Sequence, residues 1–409
     1  MTTELLLPPT GYGLDDYLAQ SGYRILGAVV ADPDLGQAVL ARTTLSGLGG
    51  AHFPFARKFT AVLDQPAPRA VLCNAAEDEP GSGKDRALLS INPHVVIEGT
   101  LIAAAALHAT DVVFYVSATS VTEIESLTSA LAESGVDSLL PDIEVRIITA
   151  PDRYVAGEAS AAINVVDGGE GKPTGQPPYP SERGIGGRPT LVANAETLAN
   201  LPRIIRAAQR GEHPVWTRLA TVTGDVVTPG VYEIRPDVDT FTTLIARAGG
   251  LSGDGALKAV QPGGPSSRFL TAEAADVAIR DADIRSAGSQ PGCLAVRVVA
   301  TSACLVEICQ EITDFFARQQ CGQCPPCRMK TQMYQRTVQQ VGSGRGSWEL
   351  LDKLAHVEEF VVDMPRKCTL IDMPTPPVDS ARSLFPADFA AHIEHGRCAA
   401  KLTATPAAH

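Results

Sequence analysis

Four cysteines in the last third of the sequence have the spacing of an iron–sulfur site. Cys321, Cys324 and Cys327 follow a C-x2-C-x2-C pattern, and Cys368 lies further along the chain. Iron–sulfur clusters are held by thiolates, so three closely spaced cysteines can hold one side of a four-iron cubane while a distant fourth completes it. Gly322 permits the tight turn that this spacing requires. The pattern predicts a 4Fe-4S cluster bound by these four cysteines.

Two other interpretations of the same cysteines remain open at this point. Zinc sites use thiolates too, although they usually pair two C-x2-C units across a longer gap. Buried thiols without any metal are also common. The remaining cysteines lie in apolar or terminal contexts and are interpreted as structural, with Cys398 the one that competes with Cys368 as a ligand; they are Cys73, Cys293, Cys304, Cys309 and Cys398.

A glycine-rich segment near the N-terminus could approach a flat or phosphorylated ligand closely. Gly47, Gly49 and Gly50 are followed by Phe53 and Lys58. Glycine lets the backbone approach a ligand, and exposed N–H groups bind anions. A plain turn between helices would have the same composition, so this segment by itself decides nothing.

Polar segments follow predicted strands in the same half of the chain. The segment Asn74–Gly81 contains three consecutive acidic residues, Glu77–Glu79. Tyr154–Glu158 and Asn194–Thr197 are similarly polar. Ligands of open α/β sheets bind where strands end, although each segment alone could be a solvated loop.

Periodicity predicts an α/β layer in the first half of the chain. Short apolar runs alternate with helical segments, which is typical of a parallel sheet covered by helices. The predicted strands are 70–73, 111–116 and 143–149, and the predicted helices are 93–108, 121–134 and 197–209. The Gly- and Pro-rich stretch 167–189 is predicted to be irregular.

Two further regions follow. Alternating residues 218–226, a Thr228-Pro229-Gly230 turn, a strand at 231–234 and a short helix at 242–248 predict a small β-grasp-like module. Helices are predicted at 305–318, 329–341, 347–361 and 388–395. We therefore predict three domains, 1–212, 213–290 and 291–409.

Composition excludes some classes of function. The 409-residue chain has a net charge of −12 and 44% hydrophobic residues, which argues against a nucleic-acid-binding surface. No apolar run approaches the ~20 residues of a membrane span. Met1–Thr10 lacks the basic start and apolar core of a leader peptide. We expect a cytoplasmic protein.

Taken together, these segments resemble the flavin-bearing, NADH-oxidising subunit of respiratory complex I. The same module occurs in NAD-linked hydrogenases and formate dehydrogenases. The resemblance extends from about Thr43 to Cys398 and includes the glycine-rich loop, the Asn74 loop, the Gly157-Glu158 segment, the Pro177-Pro178 turn and the triple-cysteine motif, in the family's order. It implies a Rossmann-like FMN domain, a ubiquitin-like β-grasp domain of the SLBB type and a helical bundle that carries the cluster.

The resemblance also assigns roles to individual residues. Phe53 and Tyr179 would flank the nicotinamide nucleotide, and Glu79 matches the acidic residue beside the site of hydride transfer, so it is the predicted catalytic residue. The residues that would line non-covalently bound FMN are Gly47, Gly49, Gly50, Lys58, Asn74, Tyr154, Gly157, Glu158, Asn194 and Thr197.

Several positions differ from the family's pattern. Polar residues of the family are replaced by Ala76, Ala159 and Ala193, and a basic residue by Gln176; further differences are His52, Phe55 and Ala56. Losing a charged contact costs roughly 1.5–3 kcal/mol. The chain is therefore interpreted as a divergent member in which nucleotide contacts have changed more than cluster ligands.

Three functional hypotheses follow. The first is an NADH dehydrogenase-like enzyme that passes electrons from NAD(P)H through FMN and the 4Fe-4S cluster to a partner, either a ferredoxin or a thioredoxin-like 2Fe-2S subunit, within a hetero-oligomer. The second is an electron-transfer module that no longer oxidises nicotinamide and exchanges electrons between a ferredoxin and another redox partner. The third is a non-redox scaffold, which the four cysteines argue against.

Overall fold

The computed structural model describes residues 5–8, 12–214 and 216–398, which fall into two compact units. The first unit includes the chain up to Asp78, Ser82–Ala220 and Val231–Arg235. The second includes Glu79–Gly81, Thr221–Gly230 and the chain from Pro236 onward. Most of Met1–Thr10, which we interpreted as lacking a leader, lies outside the described residues. So do residues 399–409 of the predicted third domain.

The first unit is an α/β layer. Its elements are α1 (Leu14–Ala19), α2 (Arg24–Ala31), α3 (Pro33–Leu40), α4 (Phe55–Leu63), β1 (Arg69–Ala75), α5 (Lys84–Ile91), α6 (Pro93–Ala106), β2 (Ala109–Ser117), α7 (Val121–Glu133), α8 (Val136–Leu139), β3 (Glu144–Ala150), a 3₁₀ helix (Tyr154–Gly157), α9 (Ala159–Val166), a second 3₁₀ helix (Ile185–Gly187), β4 (Thr190–Asn194), α10 (Ala195–Ala199) and α11 (Leu201–Gln209).

The sheet of this unit is parallel, in the order β3-β2-β1-β4. Successive residues of β1 point to opposite faces, so Val71 packs in one core and Leu72 in another. A parallel sheet must be covered on both faces, which explains why its strands are almost continuously apolar. The predicted alternation of strands and helices is therefore confirmed.

Some local predictions are corrected. The strand β4 and the helix α9 have no counterpart among the predicted elements, because both lie next to Gly- and Pro-rich sequence. The single helix predicted over 197–209 is two helices that meet at Asn200. Pro202 lies in the first turn of α11, where a missing backbone N–H is tolerated, so the sequence favours a new helix start there.

Helix α6 is buried along its whole length and packs closely against α10. A Cβ atom added at Gly99 would lie 1.9 Å from the carbonyl oxygen of Leu198. Only a residue without a side chain permits this approach. Gly99 therefore fixes the position of α10, which leads directly from β4.

The remaining elements are β5 (Arg218–Gly224), β6 (Gly230–Ile234), α12 (Phe241–Arg247), β7 (Leu257–Gln261), β8 (Leu270–Thr271), a 3₁₀ helix (Ala272–Asp276), α13 (Asp281–Ser286), β9 (Ala295–Ala300), α14 (Leu305–Gln319), α15 (Pro325–Gly342), α16 (Trp348–Val361), a 3₁₀ helix (Thr369–Asp372), α17 (Thr375–Leu384) and α18 (Pro386–His395).

Within the second unit, β9 pairs with β5 in parallel and with β7 in antiparallel orientation, and β7 pairs with β8. Helices α14–α18 follow; α14, α15, α16 and α18 correspond to the four predicted helices, whereas α17 was not predicted. Helix α15 begins at Pro325, earlier than the predicted 329, because Pro325 and Pro326 occupy its first turn.

Across the part of the chain that is described, no single helix has both the length and the apolar composition of a membrane span. The bent pair α5 and α6, which meet at 101°, satisfies that test only when its two helices are taken together.

Candidate functional site

The carboxyl ends of β1 and β4 meet at the point where the strand order of the sheet reverses. From β1 the chain continues to β2 and β3 on one side, whereas β4 lies on the other. The register pairs Asn74 of β1 with Asn194 of β4, at the end of both strands. Open α/β sheets bind ligands in the crevice outside such a reversal. Both residues were predicted to line the flavin, and the structure places them side by side there.

Asn194 connects several segments at this edge. Its Nδ2 donates to the carbonyl oxygen of Asn74 at 3.2 Å and to Asp85 Oδ2 at 2.7 Å. Its Oδ1 accepts from Lys84 Nζ at 2.9 Å and from the backbone N–H of Glu196 at 3.1 Å, which caps α10. This saturated hydrogen bonding holds the asparagine rigidly.

The glycine-rich loop lies against the same edge. A Cβ atom added at Gly49 would be 3.0 Å from Asn194 Cβ, so a side chain there would crowd Asn194. The backbone N–H of Leu48 donates to Thr197 Oγ1 at 2.8 Å. The N–H of Gly47 donates to the carbonyl oxygen of Phe53 at 2.9 Å, which closes the loop on itself. The loop therefore presents its backbone, with few side chains, beside β1 and β4.

Lys58 supports this loop from α4. Its Nζ donates to the carbonyl oxygen of Val192 in β4 at 2.9 Å. Burial lowers the pKa of Lys58 below its usual range, because the charged form loses hydration. An anionic ligand nearby would reverse that effect by favouring the ammonium form.

The Tyr154–Glu158 segment reaches the site from the end of β3. Asn74 Nδ2 donates to the carbonyl oxygen of Gly157 at 2.8 Å. A Cβ atom added at Gly157 would lie 3.2 Å from the carbonyl oxygen of Ala76. Glu158 Oε2 accepts from the backbone N–H groups of Ser160 and Ala161 at 2.9 and 3.1 Å. Glu158 is thus the N-cap of α9, a role that its sequence position did not reveal.

Two aromatic side chains predicted to contact a nucleotide are exposed. Phe53 is 44% and Tyr179 is 52% exposed. The guanidinium of Arg57 lies 5.4 Å from the centre of the Phe53 ring. Both rings are accessible for stacking on a planar ligand.

A buried charge cluster behind the site was missed by the sequence analysis. Lys84 Nζ lies 2.7 Å from Asp85 Oδ1 and 3.1 Å from Glu196 Oε2. Burial alone would lower the pKa of Lys84, but the carboxylates of Asp85, Glu196 and Glu77 raise it above its usual range. Nothing in the local pattern around Lys84 distinguishes it from a surface lysine, so no sequence signal pointed to the cluster.

Glu79 is placed differently from the other predicted residues, because it belongs to the second unit. A Cβ atom added at Gly264 would lie 2.4 Å from Glu79 Oε1, so the carboxylate occupies space that a glycine leaves open. Its predicted catalytic role stays a prediction.

The cysteine motif lies at the start of α15. Cys324 is the N-cap of this helix, and Cys327 lies in its first turn and is buried. Gly322 has φ +83°, which provides the predicted tight turn. Cys368 directly precedes the 3₁₀ helix Thr369–Asp372, which packs on α15.

Cys327 interacts electrostatically with the three other predicted ligands. Burial, followed by the neighbouring Cys368, Cys324 and Cys321, raises the pKa of its thiol to about 12, whereas Lys330 acts in the opposite direction. The fold therefore brings the distant Cys368 to the motif. None of the four forms a disulfide.

Among the described residues, the four predicted cluster cysteines do not form a group compact enough for a single ion. Zinc with bonds of ~2.3 Å holds its ligand atoms within about 4 Å of one another. Among the described residues, one group of three or more His, Cys, Asp or Glu donors lies within 4.8 Å, and it does not contain the four predicted cysteines. A wider spread fits a cubane, which has one cysteine at each iron corner. Cys398, considered as a competitor of Cys368, belongs to that other group instead.

Comparisons with known proteins divide the chain into three matched regions. Residues 40–203 match the Nuo51 FMN-binding domain. Residues 219–270 match the SLBB domain. Residues 307–392 match the NADH-ubiquinone oxidoreductase-F iron-sulfur binding region. The predicted FMN, SLBB-type and iron–sulfur fold class is thereby confirmed.

Whole-chain similarity points the same way. The F-type subunit of NADH-quinone oxidoreductase from Mycobacterium tuberculosis is 31% identical over 95% of this chain and 92% of its own length. NADP-reducing hydrogenase subunit HndC of Solidesulfovibrio fructosivorans is 29% identical over 95% of this chain and 82% of its own. A chain of an NAD+-reducing [NiFe]-hydrogenase crystal structure has 28% identity and a TM-score of 0.82, covering 94% of this chain and 68% of its own length.

Proposed function

Because the chain belongs to the family of the F-type subunit of NADH-quinone oxidoreductase, the FMN- and NADH-binding flavoprotein, we propose that it oxidises NADH and delivers the electrons to a partner subunit through FMN and a 4Fe-4S cluster. Nicotinamide gives up two electrons as hydride and a cubane cluster accepts one at a time, and bound FMN supplies the chemistry that connects the two.

The observation that carries this proposal is the junction of β1 and β4. Asn74 and Asn194 end neighbouring strands there, and Thr197 holds the glycine-rich loop against them. Gly47, Gly49 and Gly50 would let the loop backbone approach the flavin. The other contacts to the flavin would come from Lys58, Asn74, Tyr154, Gly157, Glu158, Asn194 and Thr197.

For FMN, the donors at this edge suit the ligand. The cofactor carries a phosphate and a polar ring edge, and Lys58 and Asn74 would supply complementary donors, whereas Asn194, whose amide N–H groups already donate within the protein, would position the neighbouring backbone. Glu158 already caps α9, so its contribution would be to position the neighbouring backbone.

For NADH, the exposed rings of Phe53 and Tyr179 would stack on the nucleotide. Glu79 would act beside the site of hydride transfer. Its task would be to orient the nicotinamide rather than to exchange electrons itself.

The cluster would be held by Cys321, Cys324, Cys327 and Cys368. The chain's relatives are subunits of oxidoreductase and hydrogenase assemblies, so it functions within a hetero-oligomer. The partner that accepts electrons from the cluster would be a thioredoxin-like 2Fe-2S subunit or a ferredoxin. We further propose a cytoplasmic location.

The three-domain division 1–212, 213–290 and 291–409 remains part of this proposal. It is supported by the matched ranges 40–203, 219–270 and 307–392, because each falls inside one proposed domain.

Anaerobic stopped-flow mixing of the purified, flavin-loaded protein with NADH tests the proposal. We expect flavin absorbance to bleach first and cluster absorbance to follow. Without bleaching by either NADH or NADPH, the alternative function would be correct, an electron-transfer module that exchanges electrons between a ferredoxin and another redox partner. Ala76, Ala159, Gln176 and Ala193 are the replacements that motivate this alternative.

Glu79→Ala tests the catalytic assignment. The variant should retain FMN but bleach more slowly with saturating NADH. Unchanged bleaching would remove Glu79 from the site, and loss of FMN would make its role structural.

A further inference from the structure

A second group of metal-binding side chains lies in the second unit, outside the proposed cluster ligands. One donor atom from each of Cys304, Glu307, His392 and Cys398 lies within 4.8 Å of all the others. We propose that these four residues bind a structural zinc ion. Thiolate and imidazole donors suit zinc, and four protein donors leave no open position, which is typical of a structural site.

The orientation of His392 supports this assignment. Its Nδ1 lies 3.0 Å from the carbonyl oxygen of Gly342. A carbonyl only accepts, so Nδ1 carries the proton and Nε2 keeps its lone pair. That Nε2 lies 3.3 Å from Cys304 Sγ. Metal-bound histidines are commonly fixed in this way by a hydrogen bond on their other nitrogen.

The distances match a shared ion. Zinc–sulfur and zinc–nitrogen bonds of about 2.3 and 2.0 Å at a tetrahedral angle place the two ligand atoms about 3.5 Å apart. The observed separation of 3.3 Å between Cys304 Sγ and His392 Nε2 is close to this. A small adjustment would admit the ion.

Cys304 lies at the start of a helix that also carries Glu307. Cys304 is the N-cap of the 15-residue helix α14, where the helix dipole stabilises negative charge. Glu307 lies one helical turn further along, so its carboxylate reaches the same point.

Burial and access suit a structural ion. Cys304, His392 and Cys398 are 3–5% exposed, whereas Glu307 reaches solvent. Cys304, Glu307 and Cys398 also line a cleft of about 600 Å³, which gives the ion a route of entry. The site would join α14 to α18 and Cys398, and the proposed cluster ligands lie between these elements in the sequence.

The proposed zinc site shares no residue with the four proposed cluster ligands. Cys304 and Cys398 fall outside the matched iron–sulfur region 307–392, whereas Glu307 and His392 are its first and last residues. The proposal therefore does not depend on the function proposed above, and it concerns stability of the helical part of the chain rather than electron transfer.

Elemental analysis of the full chain, purified anaerobically without a metal-affinity tag, tests the proposal. We expect one zinc per chain beside the cluster iron, and an X-ray absorption spectrum at the zinc edge with two sulfur and two lighter ligands. His392→Gln and Glu307→Gln should each lower the zinc content or its resistance to a chelator at least tenfold. His395→Gln, on the same helix but outside the donor group, should retain zinc fully.

Three results would overturn the proposal. One is wild-type protein with a full complement of iron but no zinc, even after incubation with Zn²⁺. Another is a Cys304–Cys398 disulfide in the anaerobically purified chain. The third is loss of iron in step with zinc in the Glu307→Gln variant. If His392→Gln fails to fold, Co²⁺ titration of the wild-type chain still tests whether the site binds a metal ion. A site with two cysteine thiolates gives intense thiolate-to-cobalt absorption.

Discussion

Thr197 Oγ1 accepts a hydrogen bond from the backbone N–H of Leu48 at 2.8 Å, and this contact joins α10 to the glycine-rich loop. Both residues are 1% exposed, so no solvent competes for the bond. The absence of a side chain at Gly49 leaves room for the loop beside Asn194. One hydroxyl therefore positions the backbone that we propose to contact FMN.

Replacing Thr197 by valine should weaken FMN binding. Valine keeps the shape of threonine but leaves the buried N–H of Leu48 unpaired, which costs about 1–3 kcal/mol. Since ~1.4 kcal/mol corresponds to a factor of ten in affinity, we expect the Kd for FMN to rise about tenfold. Fluorescence titration of the apoprotein measures it. Thr197→Ser keeps the acceptor and should bind like wild type; equal affinity of the valine variant would show that the bond does not position the loop.

Lys84→Met should destabilise the first unit in a pH-dependent manner. Removing the ammonium leaves Asp85 and Glu196 buried without their partner, which costs roughly 3–5 kcal/mol. Burial already raises the pKa of Glu196, and loss of Lys84 raises it further. The unfolded pKa of a glutamate is about 4.3. When the folded pKa is higher, the carboxyl destabilises the fold increasingly as the pH rises from the unfolded pKa to the folded pKa.

The loss of stability of the Lys84→Met variant, relative to wild type, should therefore be smaller at pH 5.5 than at pH 7.5. Thermal unfolding of wild type and variant at both values measures it. The double variant Lys84→Met/Glu196→Gln should recover part of the loss at pH 7.5. An equal loss at the two pH values would argue against a charge effect.

Gly99→Ala should be among the most damaging single substitutions in the chain. Its methyl group would lie 1.9 Å from the carbonyl oxygen of Leu198, a backbone atom that cannot move without shifting α10. We expect insoluble protein or a much lower Tm. Gly27→Ala is the matched control in α2, because nothing lies within 4 Å of its added Cβ. Alanine is favoured over glycine inside a helix by about 1 kcal/mol, so this control should be slightly more stable.

Cys324→Ser should abolish the cluster while FMN remains bound. Serine removes one thiolate at the start of α15, and the proposed flavin contacts lie in a different unit. Iron analysis and electron paramagnetic resonance of the reduced protein measure the loss. Cys293→Ser, outside both donor groups, serves as the control. A variant that keeps its iron and still reduces the partner would contradict the assignment of Cys324 as a ligand.

Much of the architecture was predictable from sequence because it depends on local patterns. The apolar runs around Leu72 and Val113 were predicted to be strands, and their alternation with helices predicted a parallel sheet. The strand β4 escaped prediction, since its five residues follow a Gly- and Pro-rich stretch. Its pairing with β1 depends on contacts remote in sequence.

The candidate sites divide in the same way. The four predicted cluster cysteines were identified from residue type and spacing alone. A C-x2-C-x2-C motif with a further cysteine indicates metal ligands whatever the shape of the surrounding fold. The tertiary structure alone decided the rest. It paired Asn74 with Asn194, buried Lys84 between two carboxylates and brought Cys304 to His392 and Cys398. The physical reason is that hydrogen bonds, ion pairs and metal sites act over a few ångströms, and only the folded chain brings residues so distant in sequence within that range.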